Sequence, residues 1–299
     1  MQIFKCMMLK PGILFILLIV LLVADVFGQS VEVQANYNNV GDVDFIAYNN
    51  TAVPQFIQID FADLENTSFD EPLPYVKMVV PGFNSLFTLQ RDFDAGPPRF
   101  NYRIRSYRSN PVAKVNLDFP YLLPFEPGTE VAAFDVKNIS GFMGTAEPKG
   151  WLATGFMAES GQEVFASRNG IVVEVTGPAR SGEPLNGYQT WPQTVTLLQP
   201  DGTLICYRNV TDKNKILVPG EKVFAGQKLG EVAPGATGLI LMIYHHILDS
   251  DDLLFVIPRF VVATGKVEML TSSSRYQVIH PLGIRGLEME KKEKRRLLQ

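Results

Sequence analysis

The stretches Thr154–Val175, TGFMAESGQEVFASRNGIVVEV, and Ile216–Val232, ILVPGEKVFAGQKLGEV, decide the fold. Short runs rich in β-branched and aromatic residues alternate with glycine and proline, the pattern of strands joined by tight corners. Glu163–Ala166 and Ile171–Val175 flank Asn169-Gly170, which predicts a hairpin. Thr194–Leu198 and Thr203–Tyr207 flank Pro200-Asp201-Gly202, a second hairpin signal. Pro219-Gly220 and Ala225-Gly226 mark further corners, and Gly235–Gly238 opens the apolar run Leu239–Tyr244. The Gly- and Pro-rich segment Thr176–Pro192 reads as a long surface loop carrying Trp191.

Working outward, the chain reads as all-β. In Ile57–Phe61, Ile57, Ile59 and Phe61 share one face, with Gln58 and Asp60 on the other. Phe100, Tyr102 and Ile104 alternate in the same way with Asn101, Arg103 and Arg105. Tyr75–Val80 and Leu86–Leu89 are further short strands, so residues 30–118 are expected to form a β-sandwich-like domain. Residues 119–149 read as a connector, with Pro120, Pro124 and Pro127 favouring extended backbone. A second β-domain is expected over 150–270, then an extension over 271–299. That extension ends in Lys291, Lys292, Lys294, Arg295 and Arg296 mixed with Glu288, Glu290 and Glu293, and reads as a charged helix or a frayed tail, with a solvated tail favoured.

Composition sets the frame. The chain has 299 residues, 46% hydrophobic and 19% charged, which fits a packed globular protein rather than a disordered one. A net charge of −4 argues against nucleic acid as a partner. Lys5 and Lys10 precede the apolar run Ile13–Val23, and small residues lead to Gly28. This is the pattern of a secretory signal over residues 1–28, implying export to the periplasm or the extracellular space. An uncleaved membrane anchor is the alternative. Cys6 would leave with that signal, so Cys206 has no intramolecular partner and reads as a small core residue. Asn49, Asn66, Asn138 and Asn209 begin Asn-x-Ser/Thr triplets.

The stretch Gly150–Tyr244 resembles the lysostaphin/LytM-type zinc metallopeptidases, which share a duplicated hybrid motif fold. Gly161-Gln162-Glu163-Val164-Phe165-Ala166 and Gly170-Ile171-Val172 reproduce that family's Gly-x-x-Val-x-Ala…Gly-x-Val pattern. The resemblance also locates what is missing. The family's His-Thr-Gly-x-Asp, which supplies two zinc ligands, corresponds to Ala153-Thr154-Gly155-Phe156-Met157. Its Tyr-x-His-Leu corresponds to Tyr207-Arg208-Asn209-Val210, and its Gly-x-His-Leu-His-Phe to Gly238-Leu239-Ile240-Leu241-Met242-Ile243.

A catalytic zinc needs about three protein ligands and an open position for water. Ala153, Met157, Asn209, Ile240 and Met242 cannot supply them, so zinc is expected to be lost and no catalytic residue is assigned. The three histidines are His245, His246 and His280. His245 and His246 are adjacent, so a strand would point them to opposite faces. Asp249, Asp251 and Asp252 follow in a composition typical of an exposed turn.

The resemblance then implies a non-catalytic, pseudoenzyme-like protein of the bacterial envelope, binding peptidoglycan or regulating a cell-wall hydrolase. Tyr207, Arg208 and Trp191 are its candidate groove contacts. A structural module of an envelope complex is one alternative, and an active zinc endopeptidase with displaced ligands is another. A membrane would be met only through the signal segment or the basic tail. What separates binding from scaffolding is whether the old metal site is an open cleft or a sealed apolar plug.

Overall fold

The computed structural model describes residues 30–92, 95–136, 149–178, 193–263 and 265–298. The signal segment, Asn138 and Trp191 lie outside the described residues, as does most of the loop ending at Pro192. Within them the regular secondary structure is almost all strand.

The N-terminal domain is built from β1 (Val31–Tyr37), β2 (Val43–Asn49), β3 (Gln55–Glu65), β4 (Tyr75–Val79), β5 (Gly82–Leu89) and β6 (Arg99–Tyr107). These form two three-stranded sheets, β1-β2-β5 and β4-β3-β6. Their inner faces share one core of Val33, Val43, Phe45, Ile57, Ile59, Val79 and Leu89. Alternation produces this sandwich: Val43, Phe45 and Ala47 are fully buried, while Asp44, Ile46 and Tyr48 between them turn outward. Phe45 lies at the centre of an aromatic cluster with Phe61, Phe87, Phe100 and Tyr102.

On the polar face of β3, Gln58 is 1% exposed. Part of the outer face of that sheet meets the second domain there, while Arg103 and Arg105 of β6 stay exposed.

The second domain begins well before residue 150. It comprises β7 (Pro120–Tyr121), β8 (Glu130–Asp135), β9 (Thr154–Met157), β10 (Glu163–Phe165), β11 (Gly170–Val175), β12 (Thr194–Leu198) and β13 (Leu204–Arg208). These are followed by β14 (Val210–Thr211), β15 (Lys222–Val223), β16 (Lys228–Val232), β17 (Gly238–His246), β18 (Leu253–Val256) and β19 (Arg259–Val261). β20 (Val267–Glu268) and β21 (Arg275–Gln277) complete it.

The main sheet runs β15-β11-β12-β13-β17-β9-β8-β21, with β18 also paired to β17. Small sheets β10-β16-β14 and β20-β19-β7 flank it. The expected connector is therefore part of this fold: Leu123, Phe125 and Val131 sit in its core because the prolines hold the strand-like path extended rather than looping it out. The boundary expected at 270 also moves, since β21 pairs with β8 and Val278 is fully buried.

The Pro-Asp-Gly hairpin forms as expected, with Leu198 opposite Leu204 and Gly202 at φ 86°. The Asn-Gly hairpin does not. β10 pairs with β16, whereas β11 pairs with β12 and β15. Neither Asn169 nor Gly170 takes the positive φ that a type I′ turn requires. Instead the Asn169 side-chain oxygen accepts the Ala225 main-chain N–H at 2.8 Å, and a side chain at Gly170 would crowd Leu197 at 2.9 Å. The dipeptide carries the chain from one sheet to the next.

The C-terminal extension is the charged helix of the two expected forms and is anchored rather than frayed, although its last helix buries no residue. It forms α1 (Leu282–Arg285) and α2 (Lys291–Leu297), the latter opened by a capping box between Glu290 and Glu293. Its anchor is Arg168, only 3% exposed. Arg168 donates from Nη2 to Glu288 at 2.7 Å, from Nη1 to Asp201 at 2.7 Å and to the Tyr121 hydroxyl at 3.0 Å. Its guanidinium also stacks 3.9 Å above the Phe119 ring. Burial by itself disfavours the guanidinium charge, but the Glu288 hydrogen bond and the neighbouring oxygens outweigh it and raise the pKa. A buried cation left half-paired is costly, so Glu288→Ala should lower the unfolding free energy by about 2–4 kcal/mol in urea titrations.

Candidate functional site

Of the positions matched to ligand or catalytic residues, Met157, Ile240 and Met242 share one face of the main sheet. Register fixes this: Ile240 lies opposite both Arg208 and Gly155, and Gly155 lies opposite Phe134. Directly paired residues point to the same side of a sheet, so these four form one row. The next row holds Thr196, Cys206 and Met242, and a third holds Leu198, Leu204 and Tyr244. Met157 and Gly238 form the row at the other end.

This face is closed over most of its length. Cys206, Ile240, Met242, Leu204 and Tyr244 pack in one cluster with Trp151 and Phe255, and with Val53, Phe56 and Tyr107 of the N-terminal domain. Ala153 is packed against the same cluster. Ile240 and Met242 are 5% and 2% exposed. The Phe134 ring lies across Gly155, in the space any side chain there would occupy. Nothing in the local sequence marks Phe134 as part of this face; the pairing of β8 with β9 puts it there.

The remaining ligand positions are not joined to that layer. Met157 is 56% exposed. Asn209 has φ 67°, a left-handed conformation that asparagine tolerates, and its side-chain nitrogen donates to the Gly238 carbonyl at 2.8 Å. It fastens the turn after β13 to β17. A hydrocarbon, a buried thioether, an exposed thioether and a committed amide do not fit zinc as a donor set. Among the described residues, no three His, Cys, Asp or Glu side chains come together as a metal site.

Of the groove contacts expected from sequence, Tyr207 is corrected by the structure. It is fully buried on the opposite face, where its hydroxyl accepts the Ser167 N–H at 2.7 Å, and burial raises its pKa. Strand alternation separates it from Arg208, which faces the Ile240 side and is half-buried, with burial lowering its pKa. Trp191 lies outside the described residues.

His245 and His246 are buried too. His245 and His246 close β17, and the turn begins after them. Ser109, from the N-terminal segment, accepts the His246 main-chain N–H at 2.8 Å, and its hydroxyl lies 2.6 Å from His246 Nδ1. Tyr107 donates to Gln58 at 2.7 Å, while Gln58 donates to Asp249 at 2.7 Å. The Asp249 main-chain N–H in turn donates to the Tyr107 hydroxyl at 3.1 Å. Arg108 pairs with Glu174 at 3.2 Å beside the same layer. These polar bonds ring the apolar seal and fix how the two domains meet.

No family model matches the chain, and no curated protein matches it. Some solved structures are similar to it. A novel metalloprotease, pseudoalterin, from the deep sea is 11% identical, with 55% of this chain and 97% of that one covered, at TM-score 0.34. A putative glycyl-glycine endopeptidase LytM from Ruminococcus gnavus is 20% identical over 47% of this chain, at TM-score 0.28. Csd3 of Helicobacter pylori is 13% identical over 85% of this chain, at TM-score 0.32. The chain spans 56% and 57% of the length of these last two. Likenesses this low carry no weight for the chemistry of the site.

Two outcomes test the seal. Burial pushes the Cys206 thiol up to about 12, so Ellman's reagent at pH 8 should leave the native protein unlabelled and react fully after denaturation. Fast labelling of native protein would show an open face. Burial, aided by the Arg108 and His245 charges, lowers the His246 pKa from 6.5 to about 4. The unfolded chain therefore binds this proton first, and stability is lost as pH falls from about 6.5 toward 4. The loss should total about 3 kcal/mol, measured by urea titration across that range, and His246→Asn should flatten it.

Proposed function

We propose that this chain is a non-catalytic protein of the bacterial envelope that works by contact with another envelope protein, such as a cell-wall hydrolase. The observation that carries the reading is the closed apolar layer around Ile240 and Met242. Hydrolysis of a peptide bond needs an electrophilic metal or another means of activating water, with space for the substrate beside it. Ile240 and Met242 offer neither a ligand atom for such a metal nor room. An N-terminal domain docked across that face turns a cleft into an interdomain joint.

The envelope address draws on the apolar run Ile13–Val23 behind Lys5 and Lys10, and on the resemblance of Gly150–Tyr244 to wall peptidases. A protein partner is favoured over peptidoglycan because Ile240 and Met242, on the face where a wall peptide would lie, are both buried.

Purified full-length protein should carry far less than stoichiometric zinc, should not cut wall peptides when zinc is supplied, and should not stay on sacculi at moderate salt. Near-stoichiometric zinc with hydrolysis would overturn the non-catalytic reading. Salt-resistant retention on sacculi would replace the protein partner with peptidoglycan.

A further inference from the structure

A cleft of about 500 Å³ opens where the outer face of β3 and β6 meets the turn that follows β17. That is within the roughly 300–1,000 Å³ range of ligand sites. Its walls are charged: Asp60 on β3, Arg103 and Arg105 on β6, and Asp249 from the second domain stand around Gln58.

Gln58, 1% exposed, ties the acidic side together. Its side-chain nitrogen donates to Asp60 at 2.6 Å and to Asp249 at 2.7 Å. Carboxylates only accept, so the end of the amide that touches both is the nitrogen. Its oxygen accepts the Tyr107 hydroxyl at 2.7 Å. Both amide hydrogens are thereby used, one on each carboxylate. A single neutral donor holds two negative charges side by side, and among the described residues each carboxylate keeps a second oxygen without a partner. That arrangement attracts a cation.

The basic side is open. Directly paired residues on neighbouring strands lie within side-chain reach of each other. Asn101 and Asp63 are one such pair and close at 3.0 Å. Asp60 and Arg103 are another, of opposite charge, yet they form no ion pair because Asp60 is turned to Gln58. Among the described residues the Arg103 guanidinium meets no carboxylate, and it is exposed. Arg105 differs, since Asp251 lies 3.5 Å from it. One free guanidinium therefore stands beside two clamped carboxylates in one cleft.

A simple anion would meet repulsion from Asp60 and Asp249, and a simple cation repulsion from Arg103. A molecule carrying both charges suits both sides. In an α-amino acid the ammonium and the carboxylate sit on one carbon, a separation that fits the neighbouring side chains of a cross-strand pair.

We propose that this cleft binds the zwitterionic head of a free α-amino acid, its carboxylate on Arg103 and its ammonium between Asp60 and Asp249. A planar guanidinium takes a carboxylate through two parallel hydrogen bonds, which suits Arg103 to that half of the task. The site stands apart from the non-catalytic reading and uses none of the residues around Ile240 and Met242.

The test uses isotope-labelled full-length protein titrated with glycine in low-salt buffer, read by NMR. Glycine supplies the head without a side chain, and ion pairs at an open cleft give binding of about millimolar strength. The Gln58 side-chain NH₂ signals should shift saturably. Glycinamide, which lacks the carboxylate, and N-acetylglycine, which lacks the ammonium, should each bind about tenfold more weakly. Arg103→Gln changes an exposed side chain that holds nothing in place, and should bring glycine down to the level of glycinamide. Asp60→Asn keeps an acceptor for Gln58, and should bring glycine toward the level of N-acetylglycine. Glycinamide matching glycine would mark a cation site alone, and N-acetylglycine matching it an anion site alone. Either result, unmoved NH₂ signals at tens of millimolar glycine, or undiminished binding by either variant would overturn the proposal.

Discussion

The structure depends on one apolar contact. The face of the main sheet carrying Cys206, Ile240 and Met242 is closed by Val53, Phe56 and Tyr107 from the other domain, with Trp151 and Phe255. Fully burying a side chain of this size contributes roughly 1.5–3 kcal/mol, so the layer outweighs any single polar bond around it. It also explains why β17 is buried at every position. One face of that strand packs on the domain's own core, through Leu239, Leu241 and Ile243, and the other on its neighbour. A strand covered on both sides is apolar wherever no polar partner is at hand, as from Leu239 to Ile243, and a histidine at Ile240 or Met242 would be a buried polar group in an apolar cluster.

The polar groups around the layer are specific where the layer is not. Hydrophobic contact is non-directional, and the two β-domains could meet at several angles. Tyr107, Gln58, Asp249, Ser109 and His246 select one. The Arg168 node performs the same task at the far side, drawing Glu288 and the hairpin residue Asp201 onto one guanidinium. Arginine suits this role because its rigid fork reaches several oxygens at once.

Much of this was legible locally. Period-two alternation gave the strands of the sandwich, and Pro200-Asp201-Gly202 gave its hairpin, because both signals act between near neighbours. The family spacing drew attention to Ala153, Met157, Asn209, Ile240 and Met242, and their chemistry already argued against zinc. The misreadings share a cause. Local sequence presents Tyr207 as a groove residue and residues 119–149 as a connector, and leaves open whether the C-terminus is a charged helix or a frayed tail. In each case, which partner covers the residue is set by chain segments far away in sequence.

The sequence by itself determined that this protein is built of strands, and that the positions its resemblance matched to a zinc site hold Ala153, Met157, Asn209, Ile240 and Met242. Those are properties of residue type and short-range order. Only the tertiary structure decided that the face carrying Ile240 and Met242 is sealed by a second domain, and that Phe134 covers Gly155. Each of these depends on register and on docking between distant segments. A one-residue shift in pairing would turn the same side chains to the other face.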